Sequence, residues 1–386
     1  MMTSRLPRKS GTTCQRPRVV IINDHCAHYR SALFSMLSRD DRIQFWFCSD
    51  RSGLDPNVAS SPPPDPQRFL RVRNIRIGRV VWQRGIIGLA LSRDFDAWII
   101  PGDCYWLSTW VAAILIRLRG RTVLFWTHGW RTPEFGLKKW IRIAFYRIAD
   151  GLLLYSDIAR DIGLSYRFRS RRMHVVYNSV GDSSYPRFTI NRKGYSNVRT
   201  KCDTQPQTPT VLCCGRLTRQ KNFELAIDAI ARLRADGHLC NLTIVGDGPN
   251  RRNLEHYANV KGVGVYFWGP CYDRKELAAL YSDAAVSVVP SAAGLAVIQS
   301  ISHGVPVLVG DQVAVHGPEW AAITPGLNGD FFSHGDADSL SKAILKWLQH
   351  DLHRHEIAAT ISNWTGEEQA ERIVNGVRSH LRQKQR

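Results

Sequence analysis

"TVLCCGRLTRQKNFELAIDAIARLRA", residues 210–235, is the stretch whose reading decides the fold. Its opening apolar run suits a strand buried on both faces, and from Phe223 onward apolar residues recur at helical spacing. Between them lies "GRLTRQKN", residues 215–222, a glycine-led turn that carries Arg216 and Lys221. Strand, turn and amphipathic helix make half of a βαβ unit, and the pattern repeats outward in both directions. Downstream, apolar runs fall at 242–248, 265–269, 286–290 and 305–310. Upstream they fall at 18–23, 43–48, 97–101, 122–127, 151–156 and 173–178, with amphipathic segments between most of them. Such alternation predicts α/β domains with doubly wound parallel sheets.

Residues 179–208 interrupt the alternation with a run rich in Ser, Thr, Asn, Gly and Pro, which reads as a linker. The sequence therefore predicts a Rossmann-like domain over 1–178, a linker over 179–208 and a second such domain over 209–350. Helices over 351–386 follow, with the option of returning to the first domain. Open α/β sheets bind ligands at the carboxyl ends of their strands, so the loops that follow strands are where chemistry is expected.

A chain of 386 residues with 44% hydrophobic and 22% charged residues is that of a globular protein with room for two domains. The net charge of +19 is confined to the first half: residues 1–200 hold 33 Lys and Arg against 14 Asp and Glu, while residues 201–386 hold 19 of each. A basic half fits nucleic acid, an anionic membrane surface or a phosphorylated substrate. No RNA-binding, zinc-finger or basic-zipper pattern is present, so nucleic acid is not expected as a partner. Nine cysteines show neither metal-ligand spacing nor a disulfide framework, which points to a reducing compartment. The basic stretch 1–18 has no apolar core and does not read as a secretory signal. The apolar segment 97–116 is broken by Pro101, Gly102 and Asp103 and reads as strand, turn and helix rather than a membrane span. The expectation is a cytoplasmic protein with peripheral contact at the inner face of the cell membrane.

Two segments carry candidate chemistry in the second half. Gly215 lets backbone approach a ligand, and Arg216 and Lys221 can converge on phosphate oxygens near a helix amino terminus; alternatively, one pairs with a carboxylate and the other is solvated. The second is "PSAAGLAVIQSISHGVPV", residues 290–307, a helix from about Gly294 to His303 opened by small residues that leave its first N–H groups to a diphosphate or sugar hydroxyls. Leu295, Val297, Ile298 and Ile301 can equally pack the sheet. Gln299 is the polar side chain within that helix able to reach beyond its neighbours.

Taken together, "GRLTRQKNFELAIDAIARL", "NLTIVGDGPNRRNLEHYA", "LYSDAAVSVVPS" and "SHGVPVLV" resemble the motifs of the family-4 retaining glycosyltransferases. "HYRSALFSML", "VLFWTHG" and "VVYNSV" match in the first half, and the resemblance covers nearly the whole chain. It implies the GT-B fold, with two Rossmann-like domains facing across a cleft. The implied reaction moves a sugar from a nucleotide-diphosphate sugar to a hydroxyl of a glycan or lipid-linked acceptor, without cofactor or metal. "WTHG", "HGPEW" and "GLNGDFF" resemble a subset that builds bacterial capsule, exopolysaccharide or O-antigen.

Where the family keeps two glutamates eight residues apart, this chain has Ser291 and Gln299, in a segment about three residues shorter. The resemblance then passes the first glutamate's duty to the backbone around Gly294 and Leu295. Glu319 could supply a carboxylate nearby, or simply open a helical turn behind Pro318. Replacing a charged hydrogen bond by the neutral one of Gln299 is expected to weaken nucleotide binding by about tenfold. The resemblance also implies that His128 contacts the donor sugar, although its surroundings in sequence equally allow a core histidine. Arg131 is expected near the acceptor or the donor phosphate, and Asp24 and His25 on the acceptor side. Two other readings remain open: a noncatalytic GT-B protein that partners a transferase, and a nucleotide-sugar epimerase or hydrolase.

Overall fold

The computed structural model describes residues 16–55, 58–179, 208–351 and 353–384. The chain divides into two compact units, Met1–Asp182 with Gly366–Arg386, and Ser183–Thr365. Most of the expected linker, residues 180–207, lies outside the described residues.

The first unit is built on β1 (Arg18–His25), β2 (Gln44–Asp50) and β3 (Phe69–Arg71), then β6 (Ala97–Pro101), β7 (Thr122–Thr127), β8 (Gly151–Leu154) and β9 (Met173–Val175). These form a parallel sheet in the order β3-β2-β1-β6-β7-β8-β9. Two further strands, β4 (Arg73–Ile77) and β5 (Val80–Arg84), form a separate antiparallel ribbon. The helices are α1 (Ser31–Ser38), α2 (Ile86–Leu91), α3 (Leu107–Leu118), α4 (Gly136–Ile148) and α5 (Asp157–Ser165). Alternate residues of one strand feed opposite faces of the sheet: Val20 and Ile22 join the core that includes Trp98, Ile100 and Phe125, while Val19 and Ile21 join Phe45, Ile99 and Leu124. The apolar stretch at 97–116 is strand β6, a turn and the start of α3, as its Pro-Gly-Asp break predicts. Among the described residues, no helix is long and apolar enough to cross a membrane.

The second unit has β10 (Thr210–Cys214), β11 (Asn241–Val245), β12 (Val265–Gly269), β13 (Ala284–Val289), β14 (Val307–Gly310) and β15 (Gly329–Phe332). They form a parallel sheet in the order β12-β11-β10-β13-β14-β15. Its helices are α6 (Phe223–Ala235), α7 (Arg251–Val260), α8 (Arg274–Asp283), α9 (Leu295–Ser302), α10 (Ala337–Leu348) and α11 (Arg354–Ala359). The expected end of this domain at residue 350 is too early. Arg354 donates to the carbonyls of Tyr281 and Ala284 at 3.2 and 2.5 Å, and Asn328 donates to the Thr360 hydroxyl at 2.7 Å, which keeps α11 in the second unit. Only α12 (Gly366–Lys384) belongs to the first, where it packs on α1 and the ends of β7, β8 and β9.

Strand order reverses between β1 and β6 in one sheet and between β10 and β13 in the other. Those switch points open crevices at the strand carboxyl ends. "GRLTRQKN" follows β10 and "PSAAG" follows β13, so the two candidate segments of the second unit flank one switch point.

Candidate functional site

In the second unit the site is a braced loop leading into α9. After β13 ends at Val289, the backbone turns through Ala292 with a φ of 46°, in the left-handed region. A residue with a Cβ held there costs on the order of 1 kcal/mol and persists only where its surroundings fix it. Here they do. The Lys221 ammonium donates to the Ala292 carbonyl at 2.5 Å, the Ala293 N–H donates to His316 Nδ1 at 3.0 Å, and the Gly317 N–H donates to the Ala293 carbonyl at 2.6 Å. His316 is fully buried, and its Nε2 lies 2.8 Å from the Gly310 carbonyl at the end of β14. Because Nδ1 accepts, Nε2 must carry the proton, which fixes one neutral tautomer. A side chain at Gly317 would press on the Ala293 carbonyl and have to displace the Glu319 carboxylate.

Glu319 is buried in the short turn Pro318–Ala322 and its charge bears on Lys221. Burial lowers the pKa of Lys221, and Glu319 opposes that shift. Beyond the brace, α9 begins at Leu295 with no side chain capping its amino end, and a Cβ placed on Gly294 would meet nothing within 4 Å. A helix mouth of this kind suits an anion. Gln299 is half-buried in the second turn. Gly215 leaves β10 with a φ of 156°, and half-buried Arg216 follows on the same turn.

In the first unit, a cleft of about 230 Å³ opens at the carboxyl ends of β1, β6, β7 and β8. Arg30 is held rigidly on its wall. It donates to the Asn23 side chain at 3.1 Å and to the Tyr155 hydroxyl at 2.6 Å, and its guanidinium lies 4.7 Å from the Trp126 ring centre. The His128 ring lies 4.8 Å from that of Tyr155, tilted by 45°, and is open to the cleft. Its pKa is pushed down to about 3, by enclosure within the cleft walls first and then by the cations Arg131 and Arg30. His128 is therefore a neutral hydrogen-bonding group near pH 7. Arg131 is exposed and acts on His128 by its charge, but it does not line the cleft.

Asp24 and His25 do line the cleft, where the Asp24 carboxylate is committed to scaffolding while His25 keeps its buried Nε2 without a hydrogen-bond partner among the described residues. The Asp24 carboxylate accepts from the Leu54 N–H at 3.0 Å and from Asn74 at 2.7 Å, and it lies 3.2 Å from His25 Nδ1. His25 is buried beneath Gly53, where any side chain would strike its ring.

Residues 208–350 match the family model described as Glycosyl transferases group 1. Over these residues the second unit is similar to the group 1 glycosyltransferases. A lipopolysaccharide core biosynthesis glycosyltransferase of Rhizobium meliloti is 32% identical over 223 residues, which cover 56% of this chain and 59% of the relative. An alpha-monoglucosyldiacylglycerol synthase of Streptococcus pneumoniae is 24% identical over 245 residues, 61% of this chain and 53% of the relative. The chain thus spans between half and two thirds of the length of these curated relatives. Among solved structures, a lipopolysaccharide outer core galactosyltransferase aligns with a TM-score of 0.68 at 16% identity, covering 94% of this chain and 99% of that one. An Anabaena protein crystallised with UDP and glucose aligns at 0.66 and 14% identity, with 94% and 99% covered. The fold is accordingly GT-B, two Rossmann-like α/β domains.

Within the matched residues the structure brings together Lys221, Glu319 and the loop that presents Gly294 and Leu295. Sequence reasoning overlooked His316 although "HGPEW" was in view, because its partners Ala293 and Gly310 are neighbours only in space. Arg30 escaped in the same way, since its value comes from Tyr155, 125 positions away. Two Asp-x-Asp spacings occur, at Asp94/Asp96 and Asp336/Asp338, and both serve structure: Asp96 accepts from the Arg18 N–H and Asp336 caps α10.

Proposed function

We propose that this chain transfers a sugar from a nucleotide-diphosphate sugar to a hydroxyl of a glycan or lipid-linked acceptor, with retention of configuration and without a metal, in bacterial cell-surface polysaccharide synthesis. The observation that carries the reading is the braced, open mouth of α9 set beside Arg216 at the switch point, within the residues similar to the group 1 glycosyltransferases. As the bond from the anomeric carbon to the diphosphate breaks, negative charge grows on the leaving oxygen. Arg216 and the amino terminus of α9 stabilise that charge in fixed positions, which removes the cost of reorganising solvent. Lys221 contributes both its charge and the anchoring of the loop. The acceptor hydroxyl attacks on the face that the diphosphate leaves, and its proton passes to the departing phosphate oxygen. His128, neutral and open to the first-unit cleft, serves as a hydrogen-bond partner for sugar hydroxyls. The basic half of the chain attracts an acceptor at an anionic membrane.

Ser291, where the family carries a carboxylate, favours a second reading as a nucleotide-binding but noncatalytic partner of a transferase. Thermal shift with UDP, GDP, TDP and CMP, followed by product assays with the matching nucleotide sugars and cell membranes, separates the two. The expected outcome is one stabilising nucleotide, sugar transfer that survives EDTA, and loss of transfer of at least about a hundredfold in Arg216→Ala with an unchanged melting temperature. Binding without transfer would select the noncatalytic reading, and no nucleotide binding would remove both.

A further inference from the structure

Most of the exposed large apolar side chains among the described residues fall between Ile75 and Ile141 of the first unit. The β4–β5 ribbon is the clearest case. Its register pairs Arg73 with Arg84, Ile75 with Trp82 and Ile77 with Val80, which puts all six on one face: arginines at the base, apolar residues toward the tip. Ile77, next to the turn, is 78% exposed. The opposite face is fastened down. The Val81 N–H donates to the Tyr105 carbonyl at 3.0 Å, the Gln83 N–H to the Ser108 hydroxyl at 2.9 Å, and the Gln83 side chain to the Asn23 carbonyl at 3.0 Å. The ribbon is therefore held rigidly by one face while it presents the other.

Helix α3 packs on β5 and continues the pattern. Leu107, Val111, Ile114 and Leu118 recur at spacings of four, three and four, and all are exposed, while Ala112, Ala113 and Ile116 on the other side are buried. Helix α4 packs against α3 and exposes Leu137, Trp140 and Ile141, with Phe135 just before it and Lys138 alongside. Residues 71–93 contain six arginines and no acidic residue.

We propose that this surface seats the first unit on an anionic lipid bilayer: the ribbon tip and the apolar stripes enter the interface, and the arginines at the ribbon base meet lipid phosphates. The proposal deepens the functional reading, which needs only attraction to an anionic surface, by assigning apolar insertion to named elements. Apolar side chains set between Arg73 and Arg84 at the ribbon base and exposed Arg79 in its turn suit a bilayer interface, where apolar residues reach the acyl boundary and arginines meet phosphates. A second copy of the chain fits poorly, because it would set Arg73 and Arg84 against the same like-charged pair. An exposed apolar surface of this extent is otherwise a liability in water.

Co-sedimentation of the full chain with phosphatidylcholine vesicles, with and without phosphatidylglycerol, tests the inference at low and high salt. Binding is expected to be much stronger with phosphatidylglycerol, and as salt rises it should fall toward the weaker level seen on phosphatidylcholine alone without vanishing, because salt screens the arginines and leaves apolar insertion intact. The double variant Ile77→Asp/Trp82→Asp should lose affinity roughly tenfold or more even at low salt. The nucleotide-induced thermal shift should be unchanged in that variant, which reports on its fold. That shift in the parent protein also tests the transferase reading separately from the docking surface. Absence of binding to phosphatidylglycerol vesicles, equal binding by the double variant, or a solution dimer that the double variant dissolves would each overturn the proposal.

Discussion

His316 shows how a single side chain can hold a site it does not touch. It accepts from Ala293 and lies against the Gly310 carbonyl, so the loop before α9 is tied to the end of β14 through one imidazole. Replacement by Phe would leave a buried N–H and a buried carbonyl without partners, each costing about 1–3 kcal/mol. His316→Phe is therefore expected to lose roughly 2–5 kcal/mol in a urea melt at pH 8, and nucleotide binding with it. The pH dependence follows from the same geometry. Burial lowers the pKa of His316, with the bond to Gly310 opposing that shift. The folded state resists protonation while the unfolded chain takes up a proton near the ordinary histidine value of about 6.5. Stability from this residue is thus complete above that pH and declines as the pH falls below it. His174 and His303 are shifted in the same direction by burial and add to the slope. Comparing the parent with His316→Phe between pH 8 and pH 5 isolates one residue's share: the variant should show the shallower decline. Equal slopes would mean that His316 takes up its proton as readily in the folded protein as in the unfolded chain.

At the scale of the element, α9 separates stability from binding by sign. An aspartate at position 294 would cap a helix that has no side-chain cap, and an acidic group at a helix amino end stabilises by about 0.3–1 kcal/mol. The same charge would stand where the diphosphate is expected. Gly294→Asp should therefore melt no lower than the parent and yet lose the nucleotide-induced thermal shift; a retained shift would move the phosphate site away from this helix. Helix α9 was readable in sequence because glycine opens it and glycine with proline closes it, and the strands of the two large sheets other than β3 and β15 were readable as apolar runs. The β4–β5 ribbon was not, because its apolar residues alternate with arginines and point outward instead of forming a buried run. Strand β15, four residues opened by Gly329, is too short to show periodicity. The loop brace was invisible for a different reason. Lys221 and Ala292 stand 71 positions apart, and a left-handed alanine announces itself only in the backbone.

For the whole molecule, the decisive feature is that the first unit is discontinuous in sequence. From the sequence, residues 351–386 read as helices without revealing which core they join; amphipathicity shows that a face is buried, not against what. The structure gives the last helix to the first unit. Ile373, Val374 and Val377 of α12 are fully buried among Val19, Phe45, Leu124 and Leu153, and Arg42 ties Glu371 to the start of β2 with a 2.7 Å ion pair. Burying three such side chains contributes roughly 5–9 kcal/mol, which is comparable with the whole stability of an ordinary domain, about 5–15 kcal/mol. A chain ending at Thr365 should consequently keep a folded second unit and lose the first. Hydrogen exchange would show protection retained in β10 and β13 but lost in β7 and β8, and a synthetic peptide of residues 366–386 added in trans should restore it. Val377→Asp, which keeps the chain length, should reproduce the selective loss. If the shortened chain protects β7 and β8 as well as the parent does, then α12 covers the first unit without holding it together.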